Sequence, residues 1–208
     1  MSMKPSAYLL SLFCLVISAG APKAAEPAIG SVVRTQGAST GTSDGTAETL
    51  APGMAVQLNE IIVTCAAARL DLAFDDGTRL SVGEKAQVVL DRFVYQPGGA
   101  SVFHAAVSGP FRFVSGSLGA GASRQASVTT PYALIGIRGT DFWGGPVRGS
   151  FGVFLIEGSV SIAAGGREVI LTAPGLGTDI GAAGGAPGDP TRWPADKVGE
   201  ALATVTFP

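Results

Sequence analysis

The 208-residue chain has few of the residues from which most catalytic and metal sites are built. It contains two cysteines and one histidine, and only 14% of its residues are charged. One of the two cysteines lies in the amino-terminal segment discussed next, which we expect to be removed. The remaining cysteine and one histidine cannot supply the ligands of a typical zinc site. The formal net charge of −2 also lacks the basic surplus of a nucleic-acid-binding protein. The composition therefore predicts no metal, no cofactor and no nucleic-acid partner.

Long hydrophobic runs are also scarce, and the one at the amino-terminal end has a recognisable context. The stretch from Ala7 to Ile17 is apolar except for Ser11, Lys4 precedes it, and small residues follow it. That order is typical of a secretory signal peptide, and the run is too short to span a membrane as a helix. We expect residues 1–25 to be the signal peptide and the mature chain to be periplasmic or secreted, without a membrane span.

Cysteine is too rare for an intramolecular disulfide after export. Once residues 1–25 are removed, Cys65 is the only cysteine. Its position after the apolar residues Ile61 to Val63 predicts a strand in which the thiol packs as a small hydrophobe. The fold must therefore be stabilised by its core alone.

Glycine and apolar residues are abundant, and they alternate as in β-strands. There are 30 glycines, and 46% of residues are hydrophobic. Apolar residues recur with a period of two in 69–74 and 78–82, and Asp75-Asp76-Gly77 between them predicts a hairpin. Similar short runs continue to Thr172. The sequence predicts an all-β single domain over 26–180, as a sandwich, barrel or solenoid, and a Gly/Pro linker with a short tail over 181–208.

Most aromatic residues fall in or beside these predicted strands, so we expect most of them to belong to the core. They are Phe93, Tyr95, Phe103, Phe111, Phe113, Phe142, Trp143, Phe151 and Phe154.

The motifs that could indicate catalysis lack their structural context. Gly37 to Gly41 matches the G-x-S-x-G string of serine hydrolases, but it lies in a predicted polar loop, residues 37–46, with no following helix. His104 would need a nucleophile and an orienting acid, and it is better explained as a strand residue. We therefore predict no catalytic residues and no enzyme activity.

Residues 130–142 read TPYALIGIRGTDF and are the most informative segment of the chain. They resemble the signature of the FecR domain, in which a Thr-Pro-x-Ala start leads into an apolar strand that ends in Arg-Gly-Thr, an acidic residue and an aromatic residue. The matching positions include Thr130, Pro131, Arg138, Gly139 and Thr140.

Other elements of the family follow in order around that signature. Asn59 to Thr64 resembles its approach strand, Asp76 and Gly77 lie in its Asp-Gly-Thr hairpin, and Gly158 to Ile162 resembles a later strand. The resemblance spans roughly Gly30 to Gly175. It implies a β-rich, solenoid-like or twisted β-roll domain of the cell envelope, with a sensory or interaction role.

The resemblance departs from the best-known members of the family at the amino-terminal end. Those proteins relay an outer-membrane iron-siderophore signal through a membrane span to a cytoplasmic sigma factor. Here about six residues precede the apolar leader, so we expect no cytoplasmic sigma-binding domain and carry over only fold and compartment.

Within the signature, most residues have a predicted structural role. Gly139 permits a positive φ, the Thr140 hydroxyl can bind a turn amide, and Arg138 beside Asp141 could form an ion pair. In the alternative interpretation, Arg138 and Asp141 face a partner, and Trp143 is a further candidate contact.

Two functions remain open at this point, and the oligomeric state is open in both. One is a non-catalytic interaction module that binds an envelope protein by its surface or a sheet edge. The other is a secreted structural or carbohydrate-binding β-protein, in which Trp143 would contact a sugar.

Overall fold

The chain folds into one curled β-sheet, with one helix in the part that the structure describes. A computed structural model describes residues 27–96, 101–116 and 124–208. The predicted signal peptide lies outside these residues. The elements are β1 (Ala28–Gln36), β2 (Ser39–Ser43), β3 (Thr46–Thr49), β4 (Ala55–Gln57), β5 (Ile61–Thr64), β6 (Arg69–Phe74), β7 (Arg79–Val82), β8 (Gln87–Val94), β9 (Ser101–Ser108), β10 (Phe111–Val114), β11 (Arg124–Thr129), β12 (Leu134–Val147), β13 (Ser150–Ala164), β14 (Arg167–Leu171), β15 (Leu176–Ile180), β16 (Thr191–Arg192) and α1 (Ala195–Ala203).

Two long strands give the sheet its curl. Twelve strands follow the order β3-β2-β5-β8-β9-β11-β12-β10-β7-β6-β1-β4, and β13 branches from this path by pairing with β12, β14 and β15. The first part of β12 pairs with β11 and its last part pairs with β10, while β13 runs along both parts. The sheet therefore bends at β12 and forms a half-barrel, which confirms the all-β, single-domain prediction.

The strand pairing differs from that of a solenoid. Among the described strands, only β9 and β11 pair in parallel, and all other ladders are antiparallel. A solenoid stacks successive coils along an axis, each coil contacting only its neighbours. The sheet is curled, but these antiparallel ladders do not show such a stack of coils.

The inner face of the curled sheet holds a core rich in phenylalanine. The side chains of Phe103, Phe111, Phe113 and Phe142 are almost fully buried. Ring centroids lie 5.1 Å apart for Phe103 and Phe113 and 5.7 Å apart for Phe111 and Phe142, in edge-to-face contacts. Burying each such side chain stabilises the fold by about 1.5–3 kcal/mol. The predicted core role is confirmed for these residues and for Phe151. Trp143 and Phe154 are buried in a second apolar cluster, and Phe93 and Tyr95 are only partly buried against the main core.

The predicted hairpin at residues 69–82 is present. Strands β6 and β7 pair antiparallel with Leu72 opposite Leu80, and both side chains are buried. The Phe74 N–H donates to the Thr78 carbonyl at 2.9 Å, and Gly77 has a φ of +85°. The hairpin and the positive φ of Gly77 are therefore confirmed, but the loop has three residues, 75–77, instead of the two of the predicted Asp-Gly turn.

The polar segment that we predicted as a loop forms a second hairpin instead. Strands β2 and β3 pair antiparallel, and Asp44 and Gly45, with φ values of +51° and +78°, make the two-residue turn. Strand β2 also pairs with β5. The loop prediction was wrong because backbone pairing to β5 supports this strand although its side chains are polar.

Cys65 does not pack in the core as predicted. Strand β5 ends at Thr64, whose hydroxyl donates to the Gly83 carbonyl at 2.6 Å, and the chain then turns. The thiol of Cys65 is exposed in that turn. The strand prediction was correct up to Thr64 and failed one residue later.

The carboxyl-terminal residues pack on the outer face of the sheet. Trp193 and Val205 join Trp143 of β12 in a second apolar cluster. Arg148, in the β12–β13 turn, binds the helix through its guanidinium, with Nη2 2.6 Å from the Glu200 carboxylate. No helix in the described part of the chain is long and apolar enough to cross a membrane.

Glu60 is a buried carboxylate between β4 and β5. The pKa of Glu60 is raised above the usual 4.5, mainly because burial disfavours the charged carboxylate. The hydrogen bond from the Gln57 N–H, at 2.9 Å, partly opposes this rise, and the negative charge of nearby Glu48 adds to it. The Glu60 carboxyl group therefore stays protonated to a higher pH in the folded state than in the unfolded state. The stability that this protonation contributes is present at acid pH and is lost as the pH rises through the raised pKa.

We expect Glu60→Gln to raise the melting temperature at pH 7 by a few degrees at most, since the amide keeps the acceptor without the charge. Thermal unfolding at several pH values checks this. The gain should shrink as the pH falls to 4.5, and the exposed control Glu48→Gln should give a smaller gain. A Glu60→Gln variant that is less stable at pH 7 would contradict this explanation.

Candidate interaction surface

The first signature residues close a tight turn before β12. The Thr130 hydroxyl accepts hydrogen bonds from the Ala133 N–H at 2.9 Å and the Tyr132 N–H at 3.2 Å, and the Thr130 N–H donates to the Ala133 carbonyl. Pro131 lies exposed at the tip of this turn. Thr130 therefore positions the start of β12.

Asp76 and Gly77 make a comparable turn between β6 and β7. The Asp76 carboxylate accepts hydrogen bonds from the Thr78 N–H at 3.0 Å and the Thr78 hydroxyl at 2.5 Å. The Thr78 hydroxyl in turn accepts from the Gly116 N–H at 3.1 Å. The turn residues therefore hold this hairpin to the segment that follows β10.

The Arg-Gly-Thr part of the signature forms a β-bulge between β12 and β13. Arg138 lies opposite Ser159 and Asp141 opposite Glu157, so Gly139 and Thr140 together face Gly158. Gly139 has a φ of +57° and Gly158 a φ of +82°, which confirms the predicted positive φ at Gly139.

Thr140 stabilises that bulge through its hydroxyl. The hydroxyl accepts from the Arg138 N–H at 3.2 Å, as predicted, and donates to the Ser159 carbonyl at 2.6 Å. The Thr140 N–H also donates to the Ser115 hydroxyl at 2.9 Å. The bulge is thus tied to both neighbouring strands.

Arg138 and Asp141 do not form the ion pair that the sequence indicated. Asp141 instead accepts two hydrogen bonds from the Arg112 guanidinium, at 2.9 Å from Nε and 2.6 Å from Nη2. These bonds raise the pKa of Arg112. Arg112 of β10 lies opposite Trp143, diagonally across from Asp141 on the same face of the sheet, and its long side chain reaches the Asp141 carboxylate. Arg138 and Asp141, three apart on one strand, point to opposite faces unless a bulge intervenes. The side chain of Arg138 is exposed.

Trp143 is fully buried under the carboxyl-terminal segment. Its indole N–H donates to the Thr204 hydroxyl at 3.0 Å, and its ring meets the Trp193 ring edge-on at 6.1 Å. A partner or a sugar could not contact this side chain while the segment is in place. Trp143 therefore has a structural role here.

The outer face of the sheet is divided into two halves. We call the covered half the part under α1 and residues 204–207, over β1, β6, β7, β10 and the end of β12. We call the open half the part over β5, β8, β9, β11 and the start of β12. No described helix lies over the open half.

The open half carries a row of apolar and small side chains in cross-strand register. Ile61 pairs with Val89, Val89 with Ala106, Ala106 with Thr129, and Thr129 with Leu134. Their sequence neighbours Ile62, Val88, Ala105, Val128 and Ile135 are buried in the core. The row members therefore point outward, and we call them the outer row.

The outer row is exposed where its side chains are largest. Ile61 is 41% exposed and Leu134 is 50% exposed. Val63 on β5 and Ile170 on β14 add exposed apolar surface at the flanks. A shallow depression of about 310 Å³ lies among Gln87, Val89, Ala106, Thr129 and Pro131.

His104 lies beside this row in an arrangement that resembles a catalytic triad. Its Nδ1 is 2.5 Å from an Asp91 carboxylate oxygen and its Nε2 is 2.9 Å from the Thr129 hydroxyl. However, the Thr130 and Ala133 N–H groups beside the Thr129 hydroxyl are already bound within the turn, so they are not available as oxyanion donors.

Metal chemistry finds no support at this site either. Within 27–96, 101–116 and 124–208, no group of three or more His, Cys, Asp or Glu side chains could hold a metal ion. The Asp91–His104–Thr129 line is best understood as a chain of hydrogen bonds that orders β8, β9 and β11 on the outer face.

A comparison with protein-family models identifies the family to which the chain belongs. The model described as "FecR protein" matches residues 60–161, from the start of β5 to near the end of β13. This chain contains a FecR domain. The matched FecR segment includes the bulge, the Asp76 turn and the whole outer row. It is shorter than the span from Gly30 to Gly175 that the motifs suggested.

Solved structures agree with the FecR fold. Two crystal structures of a "putative anti-sigma factor" from Parabacteroides distasonis ATCC 8503 match with a TM-score of 0.56 and 15% sequence identity. The match covers 68% of this chain and 63% or 64% of those chains, so the FecR chain corresponds to less than two thirds of their length. No curated protein matches the chain significantly.

The outer row was not predicted from the sequence. Its members lie on strands whose register depends on pairing over long distances in the chain. Ile61, Ile62 and Val63 are all apolar, as in a strand buried on both faces, although only Ile62 is buried. That apolar run was the available signal.

Proposed function

We propose that this chain is a non-catalytic, exported interaction module that binds a protein partner through the open half of its FecR domain. The observation that carries the proposal is the outer row, five side chains in register from Ile61 to Leu134. A continuous exposed apolar surface on a soluble domain typically marks a protein interface.

The chemistry around the row supports a protein rather than a charged ligand. The depression at its centre is lined by uncharged residues, among them Gln87, Ser108 and Thr129. Protein interfaces have apolar centres from which charged residues are depleted. The family and the structural neighbours, which are regulatory by description, support the same role. Residues 1–25, as a signal peptide, would place the domain in the periplasm or outside the cell.

The carbohydrate-binding alternative receives less support. Sugar sites present exposed aromatic rings, and both tryptophans are buried, Trp143 completely and Trp193 at 6% exposed. The outer row contains no aromatic side chain.

We expect Leu134→Asp to weaken partner binding at least tenfold, because the new carboxylate would be buried without a partner in the interface. The measurement is capture from cell-envelope extract by immobilised wild-type and variant protein, followed by titration with the captured protein after its purification. Leu134 is half exposed in the isolated chain, so the variant should fold.

Val33→Asp is the matched control. Val33 is 41% exposed, the same as Ile61, but lies on β1, outside the open half. We expect Ile61→Asp to lose the partner and Val33→Asp to keep it. Equal binding by all three variants would contradict the proposal.

A further inference from the structure

The two ends of the curled sheet come together around a small pocket. Strands β3 and β4 lie at opposite ends of the twelve-strand path, yet residues of both line the same space, together with residues of β2 and with Glu60. The Ser43 hydroxyl of β2 donates to Gln57 Oε1 of β4 at 2.6 Å and joins the two ends. About 290 Å³ of space lies beside this contact. We call this space the seam pocket.

Glu60 is the buried acid of the seam pocket, and one of its carboxylate oxygens is left without a hydrogen bond. The residue is only 7% exposed and lines the pocket. Its Oε2 accepts from the Gln57 N–H at 2.9 Å, whereas Oε1 has no donor among the described residues. A carboxylate can accept several hydrogen bonds, so this oxygen is available to a donor that enters the pocket.

Gly41 makes room for the free oxygen of Glu60. A Cβ atom built on Gly41 would lie 1.9 Å from Glu60 Oε1 and 2.9 Å from the Leu50 side chain. The φ of Gly41 is not positive, so its backbone conformation does not require glycine. What a side chain at position 41 would remove is the space that the carboxylate occupies.

The seam pocket is negatively charged, and its charges oppose one another. Asp44, Glu48 and Glu60 line it, and no basic side chain does so among the described residues. Burial, together with the charge of Glu48, raises the pKa of Glu60. Glutamine at position 60 would keep the acceptor for the Gln57 N–H without this penalty. A positively charged group in the pocket would offset both the burial and the repulsion.

The lining also indicates which kind of cation fits. In the part of the chain that the structure describes, no three His, Cys, Asp or Glu side chains are placed to hold one metal ion. No described aromatic ring lines the pocket, as a quaternary ammonium group would require. Met54 and Ala55 add apolar surface beside the carboxylates, and the space is larger than one water needs. An aliphatic stem that ends in a primary ammonium, with its three N–H donors, matches this lining.

We propose that the seam pocket binds a primary alkylammonium group, such as a lysine side chain of a partner or a free polyamine carries. The ammonium group donates to the Glu60 carboxylate, and the aliphatic stem lies against Met54. The site uses no residue of the outer row, so it does not depend on the proposed function of the open half.

The test measures the binding of two probes to the purified full chain by isothermal titration calorimetry at pH 7. One probe is the blocked peptide acetyl-Gly-Lys-Gly-amide, and the other is 1,4-diaminobutane. The same peptide with norleucine in place of lysine keeps the stem without the ammonium group, and it should bind at least tenfold more weakly than the lysine peptide. Tighter binding of the lysine peptide would identify a lysine side chain as the ligand, and tighter binding of the diamine would identify a free polyamine. Either result supports the proposal.

Glu60→Gln should weaken binding of the lysine peptide at least tenfold. Because we expect this variant to be no less stable than the wild type at pH 7, the loss would not come from unfolding. Glu168→Gln is the matched control, since it removes an exposed carboxylate of β14 outside the pocket, and it should bind as the wild type does. Gly41→Ala should also weaken binding, because its Cβ atom displaces the carboxylate.

Binding should also depend on pH, because the ammonium group pairs with the ionised form of Glu60. Affinity for the lysine peptide should fall between pH 7 and pH 4.5, where the raised pKa keeps most Glu60 carboxyl groups protonated. Asp44 and Glu48 also face the pocket, so Glu60→Gln is the reference, and its affinity should change less over the same range.

Four results would overturn the proposal. They are equal binding of the lysine and norleucine peptides, equal binding by the wild-type and Glu60→Gln chains, binding of neither probe, and displacement of the lysine peptide by calcium chloride at a lower concentration than by 1,4-diaminobutane. The last result would identify a metal site instead.

Discussion

Gly158→Ala is expected to lower the free energy of unfolding by about 2–4 kcal/mol, because two separate penalties apply. Gly158 has a φ of +82°, a conformation that strains any residue with a Cβ atom. A Cβ built there would also lie 2.0 Å from the Gly139 carbonyl oxygen, which is backbone and cannot move aside without breaking the bulge. Denaturant unfolding measures the change.

Gly149→Ala separates the two penalties. Gly149 has the same φ of +82°, but its Cβ would meet nothing within 4 Å. We expect only the conformational cost there, about 1–2 kcal/mol. If the two variants are destabilised equally, the close approach of Gly158 to Gly139 is not a feature of the folded protein.

Trp143→Ala is expected to destabilise the chain by about 3–5 kcal/mol, the usual cost of deleting a large buried aromatic side chain. The substitution removes the contact with Trp193 and the hydrogen bond to Thr204. It should therefore also loosen α1 and the segment after it. Thermal unfolding and the rate of proteolysis near the carboxyl-terminal end measure the two effects.

Arg138→Ala is the natural comparison, since sequence reasoning considered both residues as partner contacts. Arg138 is exposed, and its substitution should change stability by less than about 0.5 kcal/mol. A Trp143→Ala variant as stable as Arg138→Ala would show that the tryptophan is not packed under the carboxyl-terminal segment.

Local chemistry allowed part of the fold to be predicted from sequence. The hairpin at residues 69–82 followed from its alternation and its Asp-Gly turn. The positive φ of Gly139 was predicted correctly, but on the expectation of a strand end, whereas Gly139 lies in a bulge inside β12. Strands β2 and β3 were missed because their side chains are polar. Their pairing depends on β5, which no local pattern in residues 39–49 reveals.

The candidate surfaces were harder to predict because both depend on register between distant strands. Arg112 and Asp141 are 29 residues apart, so the sequence suggested the adjacent Arg138 as the partner instead. Val89, Ala106 and Leu134 form one row only once β8, β9, β11 and β12 are aligned. The burial of Trp143 likewise depends on Thr204, 61 residues later.

Recognition through the open half is tested most directly by site-specific photo-crosslinking in the envelope of the native cell. A photoreactive amino acid is placed at position 134, 61 or 33 of the full chain, one position at a time. Crosslinks to one and the same protein from positions 134 and 61, and none from position 33, are the predicted result. Crosslinks from position 33 alone, or none from positions 134 and 61, would contradict it.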